Sequence, residues 1–218
     1  MNFMNKFTYD KHKYNFEEIV REVLDVSSLN KIHLESDFPN YQLFPRSKDQ
    51  STLYHKKFYN NMGDFLEQYK LFIQECVRPR YDGPVVYQKI PTFRVHFPSN
   101  VAVGEWHKDK KYRDSDWCSR VREINYFLPL TTAHGTNTIW VETEEDKGDF
   151  KPMIANYGEA YEWNGLDLKH GNKMNKTKTT RVSVDFRVIP KIRYFDSDHL
   201  TINTKVPFSI GGYYEECK

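Results

Sequence analysis

Residues 181–188, Arg-Val-Ser-Val-Asp-Phe-Arg-Val, alternate polar and apolar without a break. Successive side chains of a strand point to opposite faces. Val182, Val184, Phe186 and Val188 therefore share one face, and Arg181, Ser183, Asp185 and Arg187 the other. The first face suits a hydrophobic helix layer. The second carries too much charge for a dry core and is expected to line a wet cavity.

The rest of the chain supplies matching parts. From about Val85 onward, short runs rich in β-branched and aromatic residues recur at 85–90, 92–97, 101–107, 123–130, 138–142, 159–163, 167–169 and 181–189, separated by Gly, Pro, Asn and Asp. Before them the period is helical. Phe16, Ile19, Val20, Val23 and Leu24 mark one buried helix face, with Asn15 and Glu18 spaced as a capping box. Phe65, Leu66, Tyr69, Phe72, Ile73, Cys76 and Val77 mark a second, which ends before Pro79. Residues 34–60 are expected to be mainly loop. The expected fold is mainly β with N-terminal helices: a cupin-like jelly roll with helices packed on its outer face.

At 218 residues the chain is expected to form one domain: a helical part over 1–84, a β core over 85–190, and a tail over 191–218 serving as a lid or an extra edge. Apolar content is low at 39 %, but 15 Tyr and 15 Phe supply core volume, so the composition is globular rather than disordered. No apolar run is long enough to span a membrane and Met1–Asp10 has no signal-peptide character, which predicts a cytoplasmic protein. Cys76, Cys118 and Cys217 are odd in number and far apart, so they read as free thiols. A net charge of +2 makes nucleic acid an unlikely partner and favours a small molecule.

The chemistry-bearing residues gather around two places. His107 and Asp109 are two apart, which on a strand gives one shared face, and an imidazole beside a carboxylate suits Fe(II). Alone, the pair is a weak signal that reads more readily as a surface His beside a solvated Asp. His170 adds a second imidazole, and Arg181 follows it by 11 residues, with Ser183 two further on. A strand carrying His170, a turn and a returning strand would set the Arg181 guanidinium beside the metal. Its planar fork pairs bidentately with carboxylate, and Ser183 adds a hydroxyl donor, as a bound dicarboxylate requires. His134 and His199 have no Arg at that spacing, and His96 is set aside with them as structural.

With these residues in place, His107-x-Asp109 … His170 … Arg181-x-Ser183 resembles the signature of the Fe(II)/2-oxoglutarate oxygenases, whose fold is the double-stranded β-helix. The stretches 122–131, 135–142, 169–172 and 180–188 are similar to a subgroup near a streptomycin-biosynthesis oxygenase, phytanoyl-CoA-hydroxylase-like in type. The resemblance covers about residues 85–190. It implies His107, Asp109 and His170 as metal ligands and catalytic residues, Arg181 and Ser183 as 2-oxoglutarate contacts, and O₂ as second cosubstrate. The retained Asp109 favours hydroxylation over halogenation.

Strand parity suggests substrate contacts at Gln88, Arg94, Glu105, Asn125 and Trp140. Glu105 and Arg94 together point to an amino acid or derivative, a substrate with both charges. They could instead pair with each other, and Trp140 could belong to the core. The basic run Lys108, Lys110, Lys111 and Arg113 could steer an anion or simply be solvated. Two other functions compete with a small-molecule hydroxylase. One is a non-redox jelly-roll binding or sugar-modifying protein, and the other an oxygenase acting on a macromolecule.

Overall fold

The computed structural model describes residues 4–35, 51–102, 105–112, 115–201 and 205–218. In chain order its elements are β1 (Met4–Thr8), α1 (Phe16–Leu24), α2 (Leu53–Asn60), α3 (Gly63–Phe72), β2 (Val85–Gln88), β3 (Thr92–His96), α4 (Ser115–Val121), β4 (Ile124–Pro129), β5 (Ile139–Val141), β6 (Lys151–Pro152), β7 (Glu159–Trp163), β8 (His170–Asn172), β9 (Arg181–Pro190) and β10 (Tyr214–Cys217). Short 3₁₀ and π turns join several of them.

Two antiparallel sheets form the body. The larger runs β1-β7-β4-β9-β2-β10, with β3 also on β9, and the smaller runs β6-β5-β8. β9 is ten residues long, enough for two partners on one edge. β2 takes Val188–Pro190 and β3 takes Arg181–Asp185, while β4 covers the other edge.

The alternation along β9 is used as expected. Val182, Val184, Phe186 and Val188 are buried in a core with Phe16, Val20, Leu24, Phe58, Phe65, Tyr69 and Phe72 from α1, α2 and α3. Aromatic rings supply much of the contact: Phe58 stacks on Phe93 at 4.2 Å and Tyr126 on Phe186 at 4.9 Å. Each such buried ring is worth about 2–3 kcal/mol of transfer free energy. The opposite face of β9 lines a cleft closed on its other side by β5 and β8.

Several expectations need correction. The run 34–60 is not simply loop: α2 occupies Leu53–Asn60, capped by Thr52, whose side chain accepts from the His55 N–H. Residues 36–50 lie outside the described ones. Asn15 and Glu18 do not form a capping box, because the two side chains bond each other at 3.1 Å. The 101–107 run is not a strand where it is described: His107 makes an isolated bridge to His170, and residues 103 and 104 lie outside the described ones. The strand expected at 167–169 is β8, shifted to His170–Asn172. At the N-terminus, β1 adds an unexpected strand on β7. The tail is an edge: β10 pairs with β2, Tyr214 opposite Gln88. No helix among the described residues is long and apolar enough to cross a membrane.

Candidate metal centre

His107 and His170 meet across a two-way backbone bridge. Each N–H donates to the other's carbonyl at 2.9 Å, which brings the ring centroids to 4.5 Å. Asp109 does not share a strand face with His107. It opens a 3₁₀ turn, Asp109–Tyr112, and its N–H donates to the Gly165 carbonyl at 2.9 Å. Backbone pairing with two distant segments, rather than strand parity, thus assembles the cluster.

One ligand atom from each of His107, Asp109 and His170 lies within 4.8 Å of the others, and this is the one such cluster among the described residues. His96, His134 and His199 join none. The side-chain chemistry fits a divalent metal. Nδ1 of His107 faces the Glu105 carbonyl at 2.6 Å and Nδ1 of His170 the Leu168 carbonyl at 3.0 Å. A carbonyl can only accept, so the ring tautomer that binds metal, with Nδ1 protonated and the Nε2 lone pair free, is the one these carbonyls favour. Both Nε2 atoms face Asp109 Oδ1, at 3.2 and 3.6 Å. Burial pushes the His170 imidazole down to about 4, which keeps it neutral and ligand-ready.

The other carboxylate oxygen, Oδ2, is anchored by Asn125 Nδ2 at 2.8 Å and Arg187 Nη2 at 3.1 Å. Burial alone would raise the Asp109 carboxyl. Arg187, with His107, His170 and Asn125, holds it well below the usual carboxylate range. Two glycines make this approach possible. A Cβ on Gly165 would lie 2.6 Å from the Asn125 amide, and one on Gly171 would lie 2.7 Å from the Trp106 indole.

Around the cluster is an open cleft lined by Arg94, Asn125, Ile139, Trp163, Asn172, Arg181, Asp185 and Arg187 among others. Arg181 is 1 % exposed and bonds Asn172 Oδ1 at 3.3 Å. Ser183, two residues along the same face, is fully buried, and its hydroxyl has no hydrogen-bond partner among the described residues. Arg94 lies opposite Ser183 in the β3–β9 register and pairs with Asp185 at 2.8 Å. Arg94 Nη1 and Asp185 Oδ1 are left without partners among the described residues.

Of the remaining expected substrate contacts, Asn125 alone lines the cleft, and it is committed to Asp109. Glu105 is exposed and pairs with Lys111 at 2.9 Å, not with Arg94. Gln88 sits behind Arg187 and accepts its Nη1 at 3.3 Å. Trp140 is opposite Gly171, bonds the Gly135 carbonyl at 3.0 Å, and has the Lys173 ammonium over its ring. The aromatic wall is instead Trp163, edge-on to His170 at 4.4 Å. Lys108 and Lys110 pair with Glu145, Asp146 and Asp167, so they are not an unscreened cationic patch, and Arg113 lies outside the described residues. Asp185 and Arg187 were visible in the alternation of β9, but nothing local shows which residues lie across from them.

No protein-family model matches the chain. It is 37 % identical over 215 residues to the streptomycin biosynthesis protein StrG of Streptomyces griseus, an alignment covering 97 % of this chain and 99 % of the relative. The similarity thus reaches well beyond residues 85–190. Among solved structures, CytC3 with Fe(II) and alpha-ketoglutarate superposes at TM-score 0.54 and 12 % identity, over 87 % of this chain and 73 % of the other. EctD from S. alaskensis, in its apoform, superposes at TM-score 0.52 and 11 % identity, over 89 % and 75 %. Those two likenesses are of fold, the double-stranded β-helix, while near-full-length identity to StrG carries kinship. By that kinship this chain belongs to the family of StrG.

Proposed function

We propose that the protein hydroxylates a small polar metabolite, an amino acid or a derivative of one, consuming 2-oxoglutarate and O₂ and releasing succinate and CO₂. The observation that carries this reading is the placement of Arg181 and the three metal-ligand candidates in one cleft. Iron, once bound with its cosubstrates, would supply the oxidising power that breaks a substrate C–H bond.

The chain's own residues do the rest. His107 and His170 offer their Nε2 atoms, and Asp109 offers Oδ1. Arg181 takes the far carboxylate of 2-oxoglutarate, and the Ser183 hydroxyl donates to it. Burial of Arg181 and the unpartnered Ser183 hydroxyl support this assignment. Arg94 and Asp185 replace Arg94 and Glu105 as the groups that receive a substrate with both charges. Both residues line the cleft, and each keeps one buried side-chain atom without a partner among the described residues. Holding both ends of a substrate selects one C–H bond, and such positioning is a large part of catalysis. Trp163 and Ile139 keep water from that bond.

Anaerobic Fe(II) titration, followed by a panel of free amino acids and small metabolites scored for succinate release, tests the proposal. One Fe(II) per chain, lost in His107→Ala, Asp109→Ala and His170→Ala, is expected, with turnover coupled to a panel member. Undiminished binding in all three variants would overturn the metal assignment. Succinate release that no small metabolite stimulates would overturn the substrate class.

A further inference from the structure

The Asp109 carboxylate is tied to the C-terminal tail through a buried polar network. Arg187 reaches Asp109 through Nη2, but a guanidinium on a long side chain stays in place only if its other edge is held. That edge is held by Tyr213 and Gln88: Nη1 donates to the Tyr213 hydroxyl and to Gln88 Oε1, each at 3.3 Å. The Nε edge lies 3.8 Å from Glu123 Oε2. Glu123 is fully buried, and the Tyr214 hydroxyl donates to its Oε1 at 2.6 Å. Two consecutive tail residues thus hold two different members of the network. Tyr213 precedes β10 and sits in a turn, which lets its ring stand at 90° to that of Tyr214 at 4.9 Å.

We propose that the C-terminal strand is a working part of the metal centre: Tyr213 and Tyr214, acting through Arg187 and Glu123, are positioning residues that hold Asp109 Oδ2 aside and so present Oδ1 to the metal. This rests on the reading of His107, Asp109 and His170 as metal ligands. Oδ1 faces the two imidazoles while Oδ2 faces Asn125 and Arg187. If Arg187 swings, the carboxylate can rotate and both oxygens become equivalent, which weakens a preset three-ligand site. Partners one shell out typically change metal affinity about 10–100-fold.

The test is Mn(II) binding to the full chain without 2-oxoglutarate, read by electron paramagnetic resonance of the free ion, alongside melting of the metal-free protein. Tyr213→Phe, Tyr214→Phe and the double variant remove only hydroxyls. The double variant should bind Mn(II) about tenfold more weakly while the metal-free melting temperature stays near wild type. Arg187→Lys, which keeps the charge but not the fork, should lose at least as much. Glu216→Gln is the control: it removes the β10 ion pair with Lys191 at 2.7 Å and touches no member of the network. Its Mn(II) affinity should be unchanged. Wild-type affinity in the double variant, or an equal loss in Glu216→Gln, would overturn the proposal. A wild-type chain that binds no Mn(II) would instead overturn the metal reading beneath it.

Discussion

Gly171 lies against the indole of Trp106 so closely that a Cβ would sit 2.7 Å from Cδ2. Each residue adjoins a metal-ligand candidate, His170 or His107, and those two are bridged backbone to backbone. Gly171→Ala must therefore displace either the indole or the bridge. Overpacking of this kind costs about 1–3 kcal/mol, and Mn(II) affinity should fall with it. Melting curves and metal titration check both effects, and wild-type values in each would show that the contact yields freely.

Arg181 should decide 2-oxoglutarate binding. A ligand at 100 times its dissociation constant stabilises the folded state by about 2.7 kcal/mol. The metal-loaded wild type should therefore melt higher with 2-oxoglutarate. Arg181→Ala should lose most of that shift, and Arg181→Lys should recover part of it, since a point charge does not replace a fork. An undiminished shift in Arg181→Ala would make the residue purely structural.

Arg94 and Glu105 should now behave differently. Arg94→Ala should raise KM for a carboxylate-bearing substrate about tenfold or more, the value of a hydrogen bond to a charged group, and Asp185→Asn should do so for an amine-bearing one. Glu105→Gln should leave KM unchanged, because that side chain is exposed and paired with Lys111. Measuring KM together with melting temperature separates a substrate role from support of the sheet.

Acid should weaken the fold through His55. This ring is buried, with Nδ1 at 2.7 Å from Thr52 Oγ1, and burial, with Arg94 nearby, lowers its pKa to about 3. The unfolded chain takes up the proton near the ordinary value of 6.5, so the folded state holds fewer protons below it. Stability from this group is full above about pH 6.5 and falls as pH drops toward 3, by about 1.4 kcal/mol per unit at most. Urea midpoints between pH 7 and 4 should fall less steeply for His55→Phe than for wild type. An equal slope would show that His55 is not the group that titrates.

The helix layer over β9 and the polar cleft beneath it were legible because alternation is a local property of strand geometry. α2 and β1 were not. The α2 sequence Leu53–Asn60 has little apolar periodicity, and its burial comes from Tyr54, His55 and Phe58 packing against other elements. β1 is exposed or half-buried along its length and is a strand because β7 pairs with it.

At the site the division is equally physical. Residue types and spacings, with the family resemblance they carry, pointed to His107, Asp109, His170, Arg181 and Ser183 as one set. Which groups face the cleft was settled only by folding. Arg187 meets Asp109, Asp185 pairs with Arg94, and the tail closes the network behind the carboxylate. Each of these depends on register and pairing between segments far apart in the chain. A slip of one residue reverses every side chain of a strand, and long-range packing, rather than the local pattern, selects the register.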